Sequence, residues 1–236
     1  MAEEERYRLR IRYAKLGRLR FLSHLEIMRT VMRVVRRAQL PYAISQGFSP
    51  HMKAAFSTAL PVGCCGLDEY LDVQLTEYVD PDSAFEVLAA AAPESLPVLG
   101  CAYIGFDVPA LTAGYPYMTY TALIEAPACD DAVAATEHAL MKLLIKGSVT
   151  VVRKGKEKSI VLSEKLACAP SVAPADEPGR ALLSFATLTT ETGALRADVF
   201  AGAVAQEASP ELRVRLLTHV ATFEKFSDTH GEGRPL

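Results

Sequence analysis

Residues 6–41 read RYRLRIRYAKLGRLRFLSHLEIMRTVMRVVRRAQLP. From Arg6 to Tyr13, the apolar Tyr7, Leu9, Ile11 and Tyr13 alternate with Arg8, Arg10 and Arg12. That period of two predicts a strand with one buried face and its arginines on the other. Lys15-Leu16-Gly17-Arg18 reads as a turn. Ser23-His24-Leu25-Glu26 has the S-x-x-E form of a capping box, in which serine and glutamate side chains satisfy each other's backbone N–H groups. A helix is therefore expected from His24 to about Ala38, stopped by Pro41. Its apolar stripe reads Leu25, Met28, Met32 and Val35. Arg29, Arg33, Arg36 and Arg37 form an adjoining stripe at helical spacing.

Working outward, Tyr42–Ser45, Lys53–Leu60, Glu69–Thr76 and Val98–Phe106 read as strands, with a helix over Asp82–Ala92 opened by Asp80-Pro81 and closed by Pro93. Residues 107–116, DVPALTAGYP, are turn-rich and read as a linker. The second half repeats the order. Strands are expected at Tyr117–Glu125, Ser148–Arg153, Lys158–Leu166, Ala181–Leu188 and Leu212–Val220, with helices at Asp130–Ile145 and Arg196–Gln206. The expectation is an α+β chain of two tandem ferredoxin-like βαββαβ units, 1–106 and 117–227, each with an extra hairpin strand. A polar flexible tail would follow over 228–236.

Composition narrows the function. Of 236 residues, 50% are hydrophobic and 22% charged, which supplies a core and excludes disorder of the whole chain. No apolar run reaches the ~18–20 residues of a membrane-spanning helix, and the charged start MAEEERYRLR is unlike a secretory signal, so a cytoplasmic protein is expected. The five cysteines have no C-x-x-C spacing, and the adjacent Cys64 and Cys65 lack convergent partners, so neither a metal site nor a cofactor is expected. Phosphate-loop, dinucleotide-binding, nucleophile-elbow and zinc-protease motifs are absent.

The net charge of -3 conceals a division. Residues 1–53 hold 12 Lys and Arg against 4 Asp and Glu, whereas the remainder holds 13 against 24. A basic head on an acidic body points to a polyanionic partner, or to a head that docks on acidic protein surface. The candidate binding residues are Arg8, Arg10, Arg12, Arg29, Arg33, Arg36 and Arg37, whose guanidinium forks suit phosphate oxygens. Phe48, His51 and Lys53 of the loop QGFSPHMK join them, Phe48 as a stacking surface. The hairpin tip Arg153-Lys154-Gly155-Lys156 would add further positive charge. His24, at the helix start where the dipole favours the neutral imidazole, is the candidate general base of a metal-independent endoribonuclease.

Several segments also carry a family resemblance: Arg10, Arg12, Lys15 and Gly17, then FLSHLE with Arg29, RRAQLPYAISQGFSPHMK, LPVG at 60–63 and EYLDV at 69–73. Together they resemble the bacterial radical SAM-linked domain of unknown function, found fused to or encoded beside radical S-adenosylmethionine proteins. Glu26 stands where members commonly have Asp, and the Cys64-Cys65 pair is unusual among them. The resemblance implies an accessory role beside a radical SAM protein. The chain lacks the C-x-x-x-C-x-x-C run of such an enzyme. Tandem ferredoxin-like units with a histidine near the first helix are also similar in plan to CRISPR-repeat RNA endonucleases, a likeness of architecture only.

Overall fold

The alternation at the start of the chain becomes β1 (Tyr7–Lys15), followed by a 3-10 turn at Gly17–Phe21 and then α1 (His24–Arg37). These elements come from a computed structural model that describes residues 6–127, 131–153, 155–208, 212–227 and 230–236. The fold is α+β and divides into two units, Met1–Tyr115 with Arg234–Leu236, and Pro116–Gly233. No helix of the described residues is long and apolar enough to cross a membrane.

The first unit continues with β2 (Ala54–Phe56), β3 (Cys64–Leu75), α2 (Pro81–Ala91), β4 (Val98–Tyr103) and a short α3 (Leu111–Gly114). Its strands lie in the order β4-β1-β3-β2, each pair antiparallel. Leu9 stands opposite Val73 and Ile11 opposite Leu71, so one face of β1 and β3 is continuously apolar. That face buries against Ile27, Val31, Val34 and Val35 of α1 and Ala84 and Leu88 of α2. Every such side chain removed from water contributes roughly 1.5–3 kcal/mol.

The second unit runs β5 (Tyr117–Glu125), α4 (Ala132–Lys146), β6 (Ser148–Arg153), β7 (Lys156–Val161), β8 (Ser171–Pro174), β9 (Arg180–Leu188), α5 (Ala197–Ala208) and β10 (Arg213–Phe223). Its strands lie in the order β10-β5-β9-β8, again antiparallel throughout. β6 and β7 form a separate two-stranded hairpin. Gly147 ends α4 in the left-handed region at φ 72°, where a side chain would be strained. Inside the unit, the Lys165 ammonium is enclosed by the turn 190–193, donating to the Thr190 and Thr192 hydroxyls and to the Gly193 carbonyl.

Several expectations are corrected. The apolar stripe of α1 is Ile27, Val31, Val34 and Val35, whereas Leu25 is exposed and Met28 and Met32 are only partly buried. Both sets have helical spacing, and the sheet selects the one with three β-branched valines. α1 ends before Pro41 takes effect, because Gln39 turns left-handed at φ 54°. Tyr42–Ser45 supplies no hairpin strand. Its backbone crosses the end of β3, with the Ala43 N–H donating to the Gln74 carbonyl at 2.8 Å, and makes only isolated bridges. Residues 107–116 contain α3, whose Leu111 packs with Tyr115 and Tyr70 in a small buried cluster. Of the tail, residues 230–232 form β12 (His230–Glu232), paired with β11 (Lys225–Ser227). Cys129, the helix start expected at Asp130, Lys154 and residues 228–229 lie outside the described residues.

Candidate functional site

The outer face of α1 carries a groove of about 550 Å³ lined by Leu22, Glu26, Arg29, Thr30, Met32, Arg33 and Arg36. Seven residues at 1.5 Å rise place Arg29 and Arg36 about 10 Å apart along the axis, with Arg33 between them. Arg29, Arg33 and Arg36 are exposed, and no ion pair engages them among the described residues. Arg33 donates one hydrogen bond to the Thr30 hydroxyl at 3.2 Å. Glu26, the acid within the groove, is committed elsewhere. Its carboxylate accepts from the Ser23 N–H at 2.8 Å and the Ser23 hydroxyl at 2.7 Å, and the Glu26 N–H returns a bond to that hydroxyl. These bonds hold its pKa below the ordinary carboxylate value, helped by Arg29. Three mutually repelling guanidiniums therefore stand on one face without a carboxylate to neutralise them. Arg37 is exposed but lies outside the groove lining.

The strand arginines are placed differently. Arg10 is fully buried, with Nε and Nη2 donating to the two Asp72 carboxylate oxygens at 2.6 and 2.8 Å. Its Nη1 donates to the Tyr115 hydroxyl at 3.1 Å and the Pro235 carbonyl at 3.0 Å. Burial by itself would lower the Arg10 pKa, but Asp72 and Tyr115 more than offset this and raise it. Arg8 donates to Asp72 at 2.6 Å and Arg12 to Asp68 at 2.7 Å. The face expected to meet solvent is thus covered by α3, Tyr115 and the last residues of the chain, and its arginines are internal counter-ions. The sequence signal for this was present. Asp68, Tyr70 and Asp72 alternate in β3 with the same period of two as the arginines of β1, and Arg10 stands opposite Asp72.

The loop residues also separate. Phe48 is fully exposed. His51 is exposed, with Nδ1 bonded to the Ser45 hydroxyl at 2.8 Å. Lys53 shares a different surface depression with Arg8, Asp72 and Phe106.

His24 turns inward, away from the arginine groove. It lies edge-on to Phe56 at 6.1 Å and lines a cavity of about 10 Å³ with Tyr13, Lys15, Ile27, Leu60 and Glu69. Burial lowers its pKa, Glu69 opposes that shift and Lys15 reinforces it. Lys15, Tyr13 and Glu69 were not singled out from the sequence as partners of His24. Only the folding of β1 beside β3 and under the start of α1 brings them together. Among the described residues, no group of three or more His, Cys, Asp and Glu is arranged to hold a metal ion.

With this geometry in place, comparison with known proteins bears on the whole chain. The bacterial family described as "Uncharacterized protein conserved in bacteria (DUF2344)" matches residues 8–196. The chain belongs to the DUF2344 family. The match extends well beyond the first third that carries the motifs, and the family's description makes no mention of radical SAM proteins. No curated protein matches the chain. Among solved structures, this DUF2344 chain is similar to one in a Cbf5-Nop10-Gar1 complex, with a TM-score of 0.47 and 10% identity over 91% of this chain and 48% of the other. It is also similar to a chain of the archaeal box H/ACA sRNP Nop10-Cbf5 complex, with a TM-score of 0.42 and 10% identity over 89% and 46% respectively. An unknown protein from Galdieria sulphuraria aligns over 92% of this chain and 100% of its own, with 14% identity and a TM-score of 0.26. The DUF2344 chain spans about half the length of the first two.

Proposed function

We propose that the first unit is a cytoplasmic binding module for RNA, with successive phosphates lying along the α1 groove. The observation that carries this reading is the alignment of Arg29, Arg33 and Arg36 in one open groove without ion-pair partners among the described residues. Guanidinium forks are suited to phosphate oxygens, and a bound polyanion would relieve their mutual repulsion. The matching strand orders β4-β1-β3-β2 and β10-β5-β9-β8 support reading each unit as a ferredoxin-like split βαβ arrangement, with the β6–β7 hairpin inserted in the second. An accessory role beside a radical SAM protein rests on the motif resemblance of residues 6–75. Binding ranks above endoribonuclease chemistry because His24 lines a cavity with room for about one water, too small for a scissile phosphodiester.

The test is a titration of labelled single-stranded RNA across a salt series. Three phosphate contacts give a slope of about -2 in log K against log salt. Reversing two charges with Arg29→Glu and Arg33→Glu should abolish binding while the protein remains folded. Absence of affinity for wild-type protein at ~20 mM salt, where charges act over roughly 20 Å, would overturn the reading.

A further inference from the structure

The small cavity beneath the start of α1 is a second site, independent of the groove. Lys15 lines it and is 3% exposed. Its ammonium has no hydrogen bond or ion pair among the described residues. Burial lowers its pKa, while Glu69, Cys64 and Cys65 oppose the shift. Around this amine stand the Tyr13 hydroxyl, the Glu69 carboxylate and the His24 imidazole. Glu69 also accepts from the Ser57 hydroxyl at 3.3 Å, which fixes it from the far side. All the lining residues are buried except His24, so the cavity opens to solvent at the imidazole. A desolvated amine beside a neutral base and a carboxylate is the arrangement of a nucleophilic lysine.

We propose that Lys15 is a reactive amine and that this pocket captures one-carbon aldehydes as an imine, with His24 carrying the proton. The cavity of about 10 Å³ accommodates an electrophile little larger than water and excludes longer ones. The Nζ lone pair attacks the carbonyl carbon, forming the N–C bond while the C=O π pair moves to oxygen. His24 takes the proton from nitrogen and returns it to that oxygen, giving a carbinolamine. A second proton from solvent allows the hydroxyl to leave as water, and the nitrogen lone pair closes the C=N bond. The resulting iminium faces the Glu69 carboxylate. Nothing is oxidised or reduced, and one water is released.

The experiment treats the full chain with formaldehyde and cyanoborohydride, which reduces the imine to a stable methylamine, and follows each lysine by peptide mass mapping at pH 7. Lys15 should be modified several-fold faster than the exposed Lys142 and Lys156, and its rate should level off at a lower pH than theirs. His24→Gln should slow modification of Lys15 several-fold and leave Lys142 unchanged, which separates proton transfer from reagent access elsewhere. Modification of Lys15 no faster than that of Lys142 and Lys156 would overturn the proposal, and the cavity would then be a site for a structural water. Equal rates in wild type and His24→Gln would overturn the role of the histidine.

Discussion

At the residue scale, Arg10 shows how a buried cation becomes part of a core. Its side chain has no exposed surface, and four hydrogen bonds to Asp72, Tyr115 and Pro235 replace the water it gave up. Removing one partner is costlier than removing both, since a lone buried charge keeps its desolvation penalty. Asp72→Asn is therefore expected to lower stability by about 3–5 kcal/mol in urea denaturation. The double change Arg10→Met with Asp72→Leu should cost distinctly less. His24 makes a different prediction. Its folded-state pKa lies below the ordinary value, first through burial, so the unfolded chain binds more protons as pH falls past about 6.5. The stability it contributes is complete above that pH and is lost as pH falls through the lower, folded-state pKa. The urea midpoint of wild type should drop between pH 7.5 and 5.5, and His24→Gln should flatten that drop.

At the scale of the element, α1 does two jobs on two faces. Its start was legible because the capping box is a local device, set by side chains three residues apart. Ser23→Ala should destabilise the protein by about 0.5–2 kcal/mol, measured by thermal or urea unfolding. Glu26 depends on the same bonds. Its depressed pKa means that its contribution is present above the ordinary carboxylate range and is lost as pH falls through its lower, folded-state pKa. The buried face was misassigned by one rotation of the stripe, since spacing alone fits both Leu25-Met28-Met32 and Ile27-Val31-Val34. The arginine face was less sensitive to that error, because charges at 29, 33 and 36 stay solvated in either rotation. Arg29→Glu and Arg33→Glu should accordingly shift unfolding by no more than about 0.5 kcal/mol each. Their effect should fall on RNA affinity and its salt dependence.

At the scale of the whole molecule, the first unit is completed by residues far away in the chain. Pro235 supplies an acceptor to Arg10, 225 positions earlier. Deleting residues 234–236 leaves one guanidinium N–H without its carbonyl, and a hydrogen bond to a charged group is worth about 1.5–3 kcal/mol. The truncated protein should unfold at lower urea by that amount, and an Arg10→Met background should suppress the difference.

What the sequence determined by itself is whatever depends on near neighbours: the period of β1, the capped start of α1, the spacing of Arg29, Arg33 and Arg36, and the element order shared by the two halves. What only the tertiary structure decided is which side of each element meets water. Arg8, Arg10 and Arg12 look as solvent-facing in sequence as the helix arginines do. They become internal because β3 presents Asp68 and Asp72 in register and because α3 and the last residues cover that face. His24 likewise acquired its neighbours Tyr13, Lys15 and Glu69 from strand pairing. Desolvation and partner choice are set by long-range contacts, and those determine whether a charge binds a ligand or holds the fold together.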